Sequence, residues 1–239
     1  MAWKWYDSKV IEIREMTPTV KQFFLEVDEV ADFDFFAGQF ITLDLPISEK
    51  RLKRWRSYSI ANHPNGTNII ELCIVHLDDG AGTTYLFNDV VVGSDIRFKG
   101  PSGAFYLPEK IDKDLVMICT GTGVAPFRSM INDILVKQKA FQSIHLIFGA
   151  RYEKDILYRE ELENIERENQ NFTYDITLSR DEKWLGYKGY VHQVYMEKDY
   201  SEDTKFYLCG WSQMIDEAVE NLLIKKKIDK KNIIYELYG

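Results

Sequence analysis

The stretch LVMICTGTGVAPFRSM, residues 115–130, has residue types and spacing suited to holding a phosphate group. An apolar run predicted as a strand ends at Thr120, and Gly121 and Gly123 follow. Glycine allows backbone angles and close approaches that a side chain would block, and the free N–H groups of a first helical turn favour an anion. Pro126 stands where the G-x-G-x-x-G fingerprint has its third glycine, although proline is tolerated in a first helical turn.

Two interpretations of this stretch follow. It is either a dinucleotide site that differs from the standard one, or a strand-to-helix turn that holds no ligand. The next predicted strand runs into FGARYEKD without an obvious acidic residue for a ribose. That sequence disfavours a standard NAD-type Rossmann domain.

A second candidate is RWRSYSIANHP, residues 54–64. Arg56 carries a fixed charge suited to a phosphate. Tyr58 and Ser59 are neighbours, so they point to opposite faces of an extended strand. A ring and a hydroxyl beside an anion-binding arginine suit a planar ligand with a phosphate tail. The alternative is an ordinary strand with Tyr58 in the core and Arg56 in solvent.

Composition narrows the class of protein. The chain has 239 residues, 45% of them hydrophobic and 28% charged, which is typical of a globular protein of one or two domains. A net charge of −8 argues against nucleic acid as a general partner. No apolar run approaches the roughly 20 residues of a membrane span, and the N-terminus lacks the apolar core of a signal peptide. These features predict a cytoplasmic protein.

The chain has three cysteines, at positions 73, 119 and 209, and none forms a C-x-x-C pair. Structural zinc sites use such pairs, and iron–sulfur clusters normally take four cysteine ligands. We therefore expect no metal site, and any electron acceptor must be separate from this sequence.

The first half of the sequence reads as short strands separated by turns. The predicted strands are KVIEIREMT, VKQFFLEV, QFITLDLP, RSYSIAN, IIELCIVHL and DIRFKG. They predict an antiparallel barrel or sandwich. The stretch GTTYLFNDVV is predicted as a short helix capped by Thr83 or Thr84.

The second half alternates strands with helices, which predicts an α/β domain with a mostly parallel sheet. The predicted strands are LVMICT, IHLIFGA, FTYDITLS, KFYLCG and NIIYELY, and two predicted helices are APFRSMINDILVKQK and SQMIDEAVENLLIKKK. Ligands bind beyond the carboxyl ends of strands in such sheets, which is where the TGTG turn falls. The boundary between the halves is expected within residues 106–114.

Six motifs occur in an order that resembles the ferredoxin–NADP reductase superfamily. They are RSYSIAN, GAGTTYL, GPSGAFYL, GTGVAPFRSM, YLCGWSQM and YELYG. The resemblance implies two domains. An antiparallel β-barrel FAD-binding domain would span residues 1–108, and an α/β NAD(P)-binding domain with a mostly parallel sheet would span 109–239.

The resemblance also assigns residues. It implies that Arg56 binds flavin phosphate, that Tyr58 packs on the isoalloxazine, that Ser59 hydrogen-bonds near flavin N5 and that Tyr238 lies near the flavin. The flavin pyrophosphate would meet Gly82, Thr83 and Thr84. The implied NAD(P)H-binding residues are Thr120, Gly121, Thr122, Gly123, Pro126, Ser179, Arg180, Cys209 and Gly210. The implied catalytic residues are Ser59, Cys209 and Glu236, with the Glu236 carboxylate near Ser59.

The implied function is an FAD-dependent oxidoreductase that moves electrons between NAD(P)H and a one-electron carrier, a ferredoxin or flavodoxin, by hydride transfer to flavin N5. The alternatives are an NAD(P)H:flavin reductase, the reductase component of an oxygenase system and a non-catalytic nucleotide-binding module. The turn at Gly82 favours FAD over FMN, and Arg180 favours NADPH over NADH.

A basic run precedes the flavin motif. Lys50, Arg51, Lys53 and Arg54 lie close together in an otherwise acidic protein. Complementary charge speeds encounter and fixes orientation between partners. The run predicts a docking surface for a small acidic electron carrier, and the alternative is a solvated loop.

Overall fold

The computed structural model describes residues 4–238. Its first sheet contains six strands, joined throughout by antiparallel pairs in the order β4-β3-β6-β1-β2-β5. The strands are β1 (Trp5–Thr17), β2 (Val20–Val27), β3 (Phe40–Asp44), β4 (Trp55–Ser59), β5 (Ile69–Val75) and β6 (Asp95–Ser102). A bridge between Ile60 and Leu72 connects the end of β4 to β5, which closes the sheet into a barrel.

Apolar side chains at alternate positions of the strands fill the interior of the barrel. Ile70, Leu72 and Ile74 of β5 are at most 1% exposed and belong to one core cluster, together with Ile41 and Leu43 of β3. Successive strand residues point to opposite faces, so Glu71 and Cys73 lie on the outer face of β5. The predicted antiparallel barrel is confirmed.

The second sheet is parallel throughout, in the order β10-β9-β8-β7-β11-β12. Its strands are β7 (Leu115–Thr120), β8 (Ile144–Ala150), β9 (Phe172–Leu178), β10 (Tyr187–Lys188), β11 (Lys205–Trp211) and β12 (Ile233–Tyr238). The chain proceeds outward from β7 in both directions, so the order reverses between β7 and β11. Such a switch point is where open α/β sheets bind ligands.

Six α-helices connect the strands of the described chain. They are α1 (Arg51–Arg54), α2 (Ala81–Asn88), α3 (Val124–Val136), α4 (Arg159–Glu168), α5 (Val191–Met196) and α6 (Ser212–Glu220). Among the residues described, no helix combines the length and apolar character needed to cross a membrane.

The chain forms two compact units, and no single cut in the sequence separates them. The first contains the residues up to Leu107 together with Ala125–Lys137, and the second contains Pro108–Val124 and the residues from Gln138 onward. Almost all of α3 therefore packs with the barrel, although the strand before it belongs to the parallel sheet. The domain division at 108/109 stays a prediction.

Several local predictions need correction. The residue that caps α2 is Gly80, and Thr83 lies inside the helix, where its hydroxyl accepts from Leu77 N at 3.1 Å and lies 3.0 Å from Gly80 O. The basic run forms one helical turn, α1, rather than a loop. Strand β10 and helices α4 and α5 were not predicted individually, because they are short or strongly charged.

Candidate functional site

In the first unit, Arg56 and Gly82 lie in direct contact. A Cβ placed on Gly82 would lie 2.8 Å from Arg56 Cγ and 3.1 Å from Arg56 Nε. A larger residue at position 82 would displace the Arg56 side chain, so glycine lets the first turn of α2 approach the guanidinium this closely. Arg56 Nη1 also donates to the carbonyl oxygens of Lys53 at 3.0 Å and Trp55 at 2.8 Å, which fixes its orientation.

The start of α2 completes this arrangement. No side chain among the described residues caps the helix at Gly80. The N–H groups of the first helical turn have no partners inside the helix and carry partial positive charge. A fixed guanidinium beside these groups suits a phosphate better than either feature alone. We call Arg56, Gly82 and the first turn of α2 the arginine cradle.

Tyr58 and Ser59 follow Arg56 on β4. Tyr58 is half-buried and packs against the barrel core. Burial raises the pKa of Tyr58 to about 12, against a smaller lowering by Arg56, so the phenol stays neutral at ordinary pH. Ser59 is 3% exposed and pairs in register with Phe40 of β3. The predicted flavin contacts of Tyr58 and Ser59 stay predictions.

In the second unit, the two positions of the TGTG turn that hold glycine require it for different physical reasons. Gly121 has a φ of +53°, a left-handed conformation that side chains rarely adopt. Gly123 allows a close backbone contact, because its Cβ would lie 2.4 Å from the carbonyl oxygen of Cys209. The turn Gly121–Gly123 is 3₁₀-helical and leads directly into α3. Pro126 is buried in the first turn of that helix, where its missing N–H breaks no helical bond.

The turn meets the end of β11 at the switch point. A Cβ on Gly210 would lie 2.5 Å from the hydroxyl oxygen of Thr120, and Gly210 has a φ of +147°. The Thr120 hydroxyl is buried and has no hydrogen-bond partner in the described part of the chain. Unpartnered buried hydroxyls are costly, so a ligand that bonds Thr120 would remove a penalty. We call Thr120–Gly123 with Cys209 and Gly210 the glycine turn site.

Cys209 lies at the centre of a row of polar side chains on one face of the sheet. Its register partners are Cys119 on β7 and Glu236 on β12. Burial raises the pKa of the Cys209 thiol well above its usual value, and the Glu236 charge and Cys119 raise it further, against a hydrogen bond from Tyr238. Cys209 is therefore a neutral thiol, suited to packing and positioning rather than to nucleophilic attack.

Ser179 and Arg180 lie at the carboxyl end of β9, two strands away from β7. Their backbone N–H groups donate to Ala150 O at 3.0 Å and Arg151 O at 2.9 Å, which continues the pairing with β8. Arg180 is exposed. Apart from Pro126 on α3, the second unit therefore brings the predicted nucleotide residues to the carboxyl ends of its strands, with Ser179 and Arg180 two strands away from β7.

Sequence reasoning missed a buried ion pair in the first unit. Arg128 Nη1 donates to Glu71 Oε2 at 2.8 Å, and the two side chains are 17% and 6% exposed. The signal in the sequence that could have indicated this pair is Glu71, a carboxylate inside the apolar run IIELCIV. Within residues 4–238, no group of three or more His, Cys, Asp or Glu side chains could hold a metal ion.

Two family models match successive parts of the chain. Residues 7–106 match the family described as "Oxidoreductase FAD-binding domain", and residues 117–220 match "Oxidoreductase NAD-binding domain". The protein is thus a flavoprotein oxidoreductase with an FAD-binding and an NAD-binding domain.

Individual relatives show which group of flavoprotein oxidoreductases the chain belongs to. Ferredoxin–NADP reductase B of Sorangium cellulosum is 32% identical over 242 residues, which cover 98% of this chain and 97% of that protein. A ferredoxin NADP⁺ reductase structure from Neisseria gonorrhoeae with bound FAD and NADP is 25% identical, with a TM-score of 0.79 and 98% coverage of both chains. This chain belongs to the ferredoxin–NADP reductase superfamily.

Other relatives are longer. Phenol hydroxylase P5 protein of Acinetobacter pittii is 32% identical over 232 residues, which cover 94% of this chain but 63% of that protein. The resemblance stated from the motifs is therefore confirmed at the level of family, fold and cofactor classes.

The residues present fit the two cofactors. The arginine cradle offers a guanidinium and a side-chain-free approach to a diphosphate, as FAD requires. The glycine turn site offers backbone N–H groups, an unpartnered hydroxyl and small residues at the switch point, as a nicotinamide dinucleotide requires.

Proposed function

We propose that this protein is an FAD-dependent reductase that moves electrons between NAD(P)H and a separate one-electron carrier protein, a ferredoxin or flavodoxin. The observation that carries the proposal is the presence in one chain of the arginine cradle and the glycine turn site. Each suits a different phosphorylated ligand, and the family assigns the two ligands as FAD and NAD(P)H.

Residue roles follow from placement. FAD and NAD(P)H supply the redox chemistry when bound, a hydride passing between nicotinamide C4 and flavin N5. Arg56 and the first turn of α2 would hold the flavin phosphates, and Tyr58 would contact the ring system. Ser59 would hydrogen-bond near N5. Cys209, a small neutral thiol, would contact the nicotinamide without blocking it.

Glu236 and Tyr238 stand beside Cys209 on the same face of the second sheet. A carboxylate here can orient a hydroxyl or relay a proton. We assign Glu236 to that role and Tyr238 to contact with the flavin ring. Ser179 and Arg180 would hold the ribose end of the nucleotide, and the exposed Arg180 guanidinium favours NADPH over NADH.

The carrier part of the proposal rests on a basic surface of the first unit. Lys50, Arg51 and Lys53 are exposed, whereas Arg54 is held by Asp44 at 2.8 Å and contributes less charge. The guanidinium groups of Arg51 and Arg97 lie 5.8 Å and 5.2 Å from the centroid of the same ring, that of Trp5. Positive charge therefore extends beyond the predicted run. An acidic carrier fits this surface by charge complementarity.

A reductase component for an oxygenase is the second candidate. It is favoured by the similarity to Phenol hydroxylase P5 protein. A partner that bears an iron–sulfur centre would then accept the electrons, and the same basic surface would dock it.

Anaerobic reduction of the FAD-loaded protein with NADH and NADPH in parallel tests the proposed function. We expect rapid bleaching of the flavin absorbance by at least one nucleotide, and then reoxidation by an added ferredoxin or flavodoxin. A protein that retains FAD but is bleached by neither nucleotide would refute reductase activity. Bleaching followed by transfer only to free flavin would support a flavin reductase instead.

A further inference from the structure

Helix α3 carries a polar network that lies within the first unit. The helix continues directly from the turn Gly121–Gly123 in the second unit, yet it packs with the barrel. It is almost entirely buried. Apolar packing would be enough to hold a buried helix, so ionic and hydroxyl groups on its inner faces call for a separate reason.

Arg128 and Ser129 supply those groups, in the second turn of α3. Arg128 Nη1 donates to Glu71 Oε2 at 2.8 Å and to Ala61 O at 3.0 Å. Ser129 is fully buried, and its hydroxyl donates to Asn62 O at 2.6 Å. Both residues therefore hold the two carbonyl groups of the segment Ala61–Asn62.

That segment follows Ser59 after one intervening residue, and Glu71 also binds it through hydrogen bonds. The Ala61 N–H donates to Glu71 O at 2.8 Å, and the Glu71 N–H donates to Asn62 Oδ1 at 2.8 Å. Gln22 Nε2 donates to Glu71 Oε1 at 2.5 Å, so both carboxylate oxygens have a partner. The carboxylate thus orients Arg128 rather than remaining free to rotate.

Buried ion pairs are weak sources of stability, because desolvation offsets most of the attraction. They do specify geometry, since a guanidinium bonds in fixed directions. Here the fixed geometry joins the strand end that carries Ser59 to the helix that receives the TGTG turn. Hydride transfer depends steeply on the placement of the reacting atoms.

We propose that Glu71 and Arg128 are positioning residues for the reaction, because they hold the start of α3, the helix that directly follows the TGTG turn in the chain, against the segment Ala61–Asn62. This inference rests on the proposed hydride transfer between NAD(P)H and FAD. The two residues would contact neither cofactor, and their effect would act through Ala61–Asn62 and through the backbone of α3.

The test compares Glu71→Gln, Arg128→Met, Arg128→Lys and the double variant Glu71→Leu/Arg128→Met with the unaltered protein. The double variant replaces the pair by apolar side chains, which preserves folding in comparable cases, so it remains informative if a single variant unfolds. Arg14→Met is the matched control, because Arg14 belongs to the same unit and forms its ion pair with Glu12 on the surface, where the two side chains are 56% and 45% exposed.

We expect the double variant to retain FAD and a melting temperature close to that of the unaltered protein. Its flavin reduction should slow by about 10- to 100-fold, and the long-wavelength charge-transfer absorbance that forms on mixing with NAD(P)H or NADP⁺ should weaken. Arg128→Lys should recover part of that absorbance. Arg14→Met should change neither the rate of flavin reduction nor the charge-transfer absorbance.

Variants that lower only the melting temperature, with unchanged reduction rate and charge-transfer absorbance, would overturn the inference and leave a purely structural pair. If the unaltered protein itself showed no flavin reduction, the proposed function would fail instead, and the two failures are therefore distinguishable.

Discussion

The two turns that we propose to bind phosphate groups are built by different means. The arginine cradle joins a guanidinium on β4 to the first turn of α2, with Gly82 permitting the contact. The glycine turn site contains no lysine or arginine between Thr120 and Pro126. It relies on backbone N–H groups, small residues and the hydroxyl of Thr120. One turn therefore uses fixed charge, and the other uses shape.

The difference suits the two ligands. Charge-assisted hydrogen bonds are roughly twice as strong as neutral ones, so the cradle is fitted to a cofactor that stays bound. A nicotinamide nucleotide must leave after each turnover, and a neutral backbone site releases it more readily. The predictions below separate the two sites, beginning with the largest expected effect.

Gly123→Ala should damage only the shape-based site. The added Cβ would lie 2.4 Å from the Cys209 carbonyl oxygen, so the turn or β11 must move. A misplacement of about 1 Å can cost roughly 100-fold in rate. We expect flavin reduction by NAD(P)H to fall by about that factor, measured by stopped-flow absorbance, with FAD content unchanged.

Gly121→Ala sharpens this prediction. A Cβ there meets open space, and only the left-handed φ opposes it. The cost is about 1–2 kcal/mol of backbone strain, so the defect should be clearly smaller than that of Gly123→Ala. An equal or larger defect would show that conformation, rather than the contact with Cys209, requires these glycines.

Arg56→Ala should damage only the charge-based site. Loss of a charged hydrogen bond costs about 1.5–3 kcal/mol, so the dissociation constant for FAD should rise by about 10- to 100-fold, measured by fluorescence titration of the apoprotein. Binding of NADP⁺ to the apoprotein should not change. The control Arg97→Ala removes an exposed arginine of the same unit and should leave FAD affinity intact.

Charge reversal at Lys50 and Arg51 should affect the carrier and neither cofactor. We expect Lys50→Glu/Arg51→Glu to slow reduction of an acidic ferredoxin or flavodoxin by about tenfold at low ionic strength, while ferricyanide reduction stays constant. Added salt should remove the difference, since it screens exposed charges. The control Lys230→Glu/Lys231→Glu makes the same charge change in the second unit. A rate of carrier reduction that changes neither with the substitution nor with added salt would exclude this surface as the docking site.

Arg180→Ala should give the smallest effect, because the guanidinium is exposed. Exposed ion pairs contribute up to about 1 kcal/mol, so kcat/KM for NADPH should fall by about fivefold, with kcat/KM for NADH unchanged. Equal losses for both nucleotides would show that Arg180 does not contact a 2′-phosphate.

Several strands, the glycine turn and the cofactor classes could be predicted from the sequence, because local sequence patterns determine them. Alternating apolar residues in IIELCIV and the apolar run LVMICT predicted β5 and β7, and the glycines at 121 and 123 predicted the turn. The motif order then predicted both cofactor classes. Thr83 was misassigned as a cap, because its side chain bonds back to Leu77 across a turn that propensity does not encode.

Other features depend on contacts that are distant in sequence. The packing of α3 with the barrel, and the pairing of Arg128 with Glu71, join residues that only the folded chain brings together. The same holds for Gly123 and Cys209, whose contact explains why that position is a glycine. Sequence reasoning predicted site residues, which stay predictions, but it did not predict the contacts that hold them.

The most direct test of the central claim is stopped-flow reduction of the FAD-loaded protein with nicotinamide nucleotide deuterated at C4. If the two sites bring nicotinamide and flavin together for hydride transfer, deuteration should slow flavin bleaching, and Gly123→Ala should slow it further without releasing FAD. Bleaching that is insensitive both to deuterium and to Gly123→Ala would contradict the account.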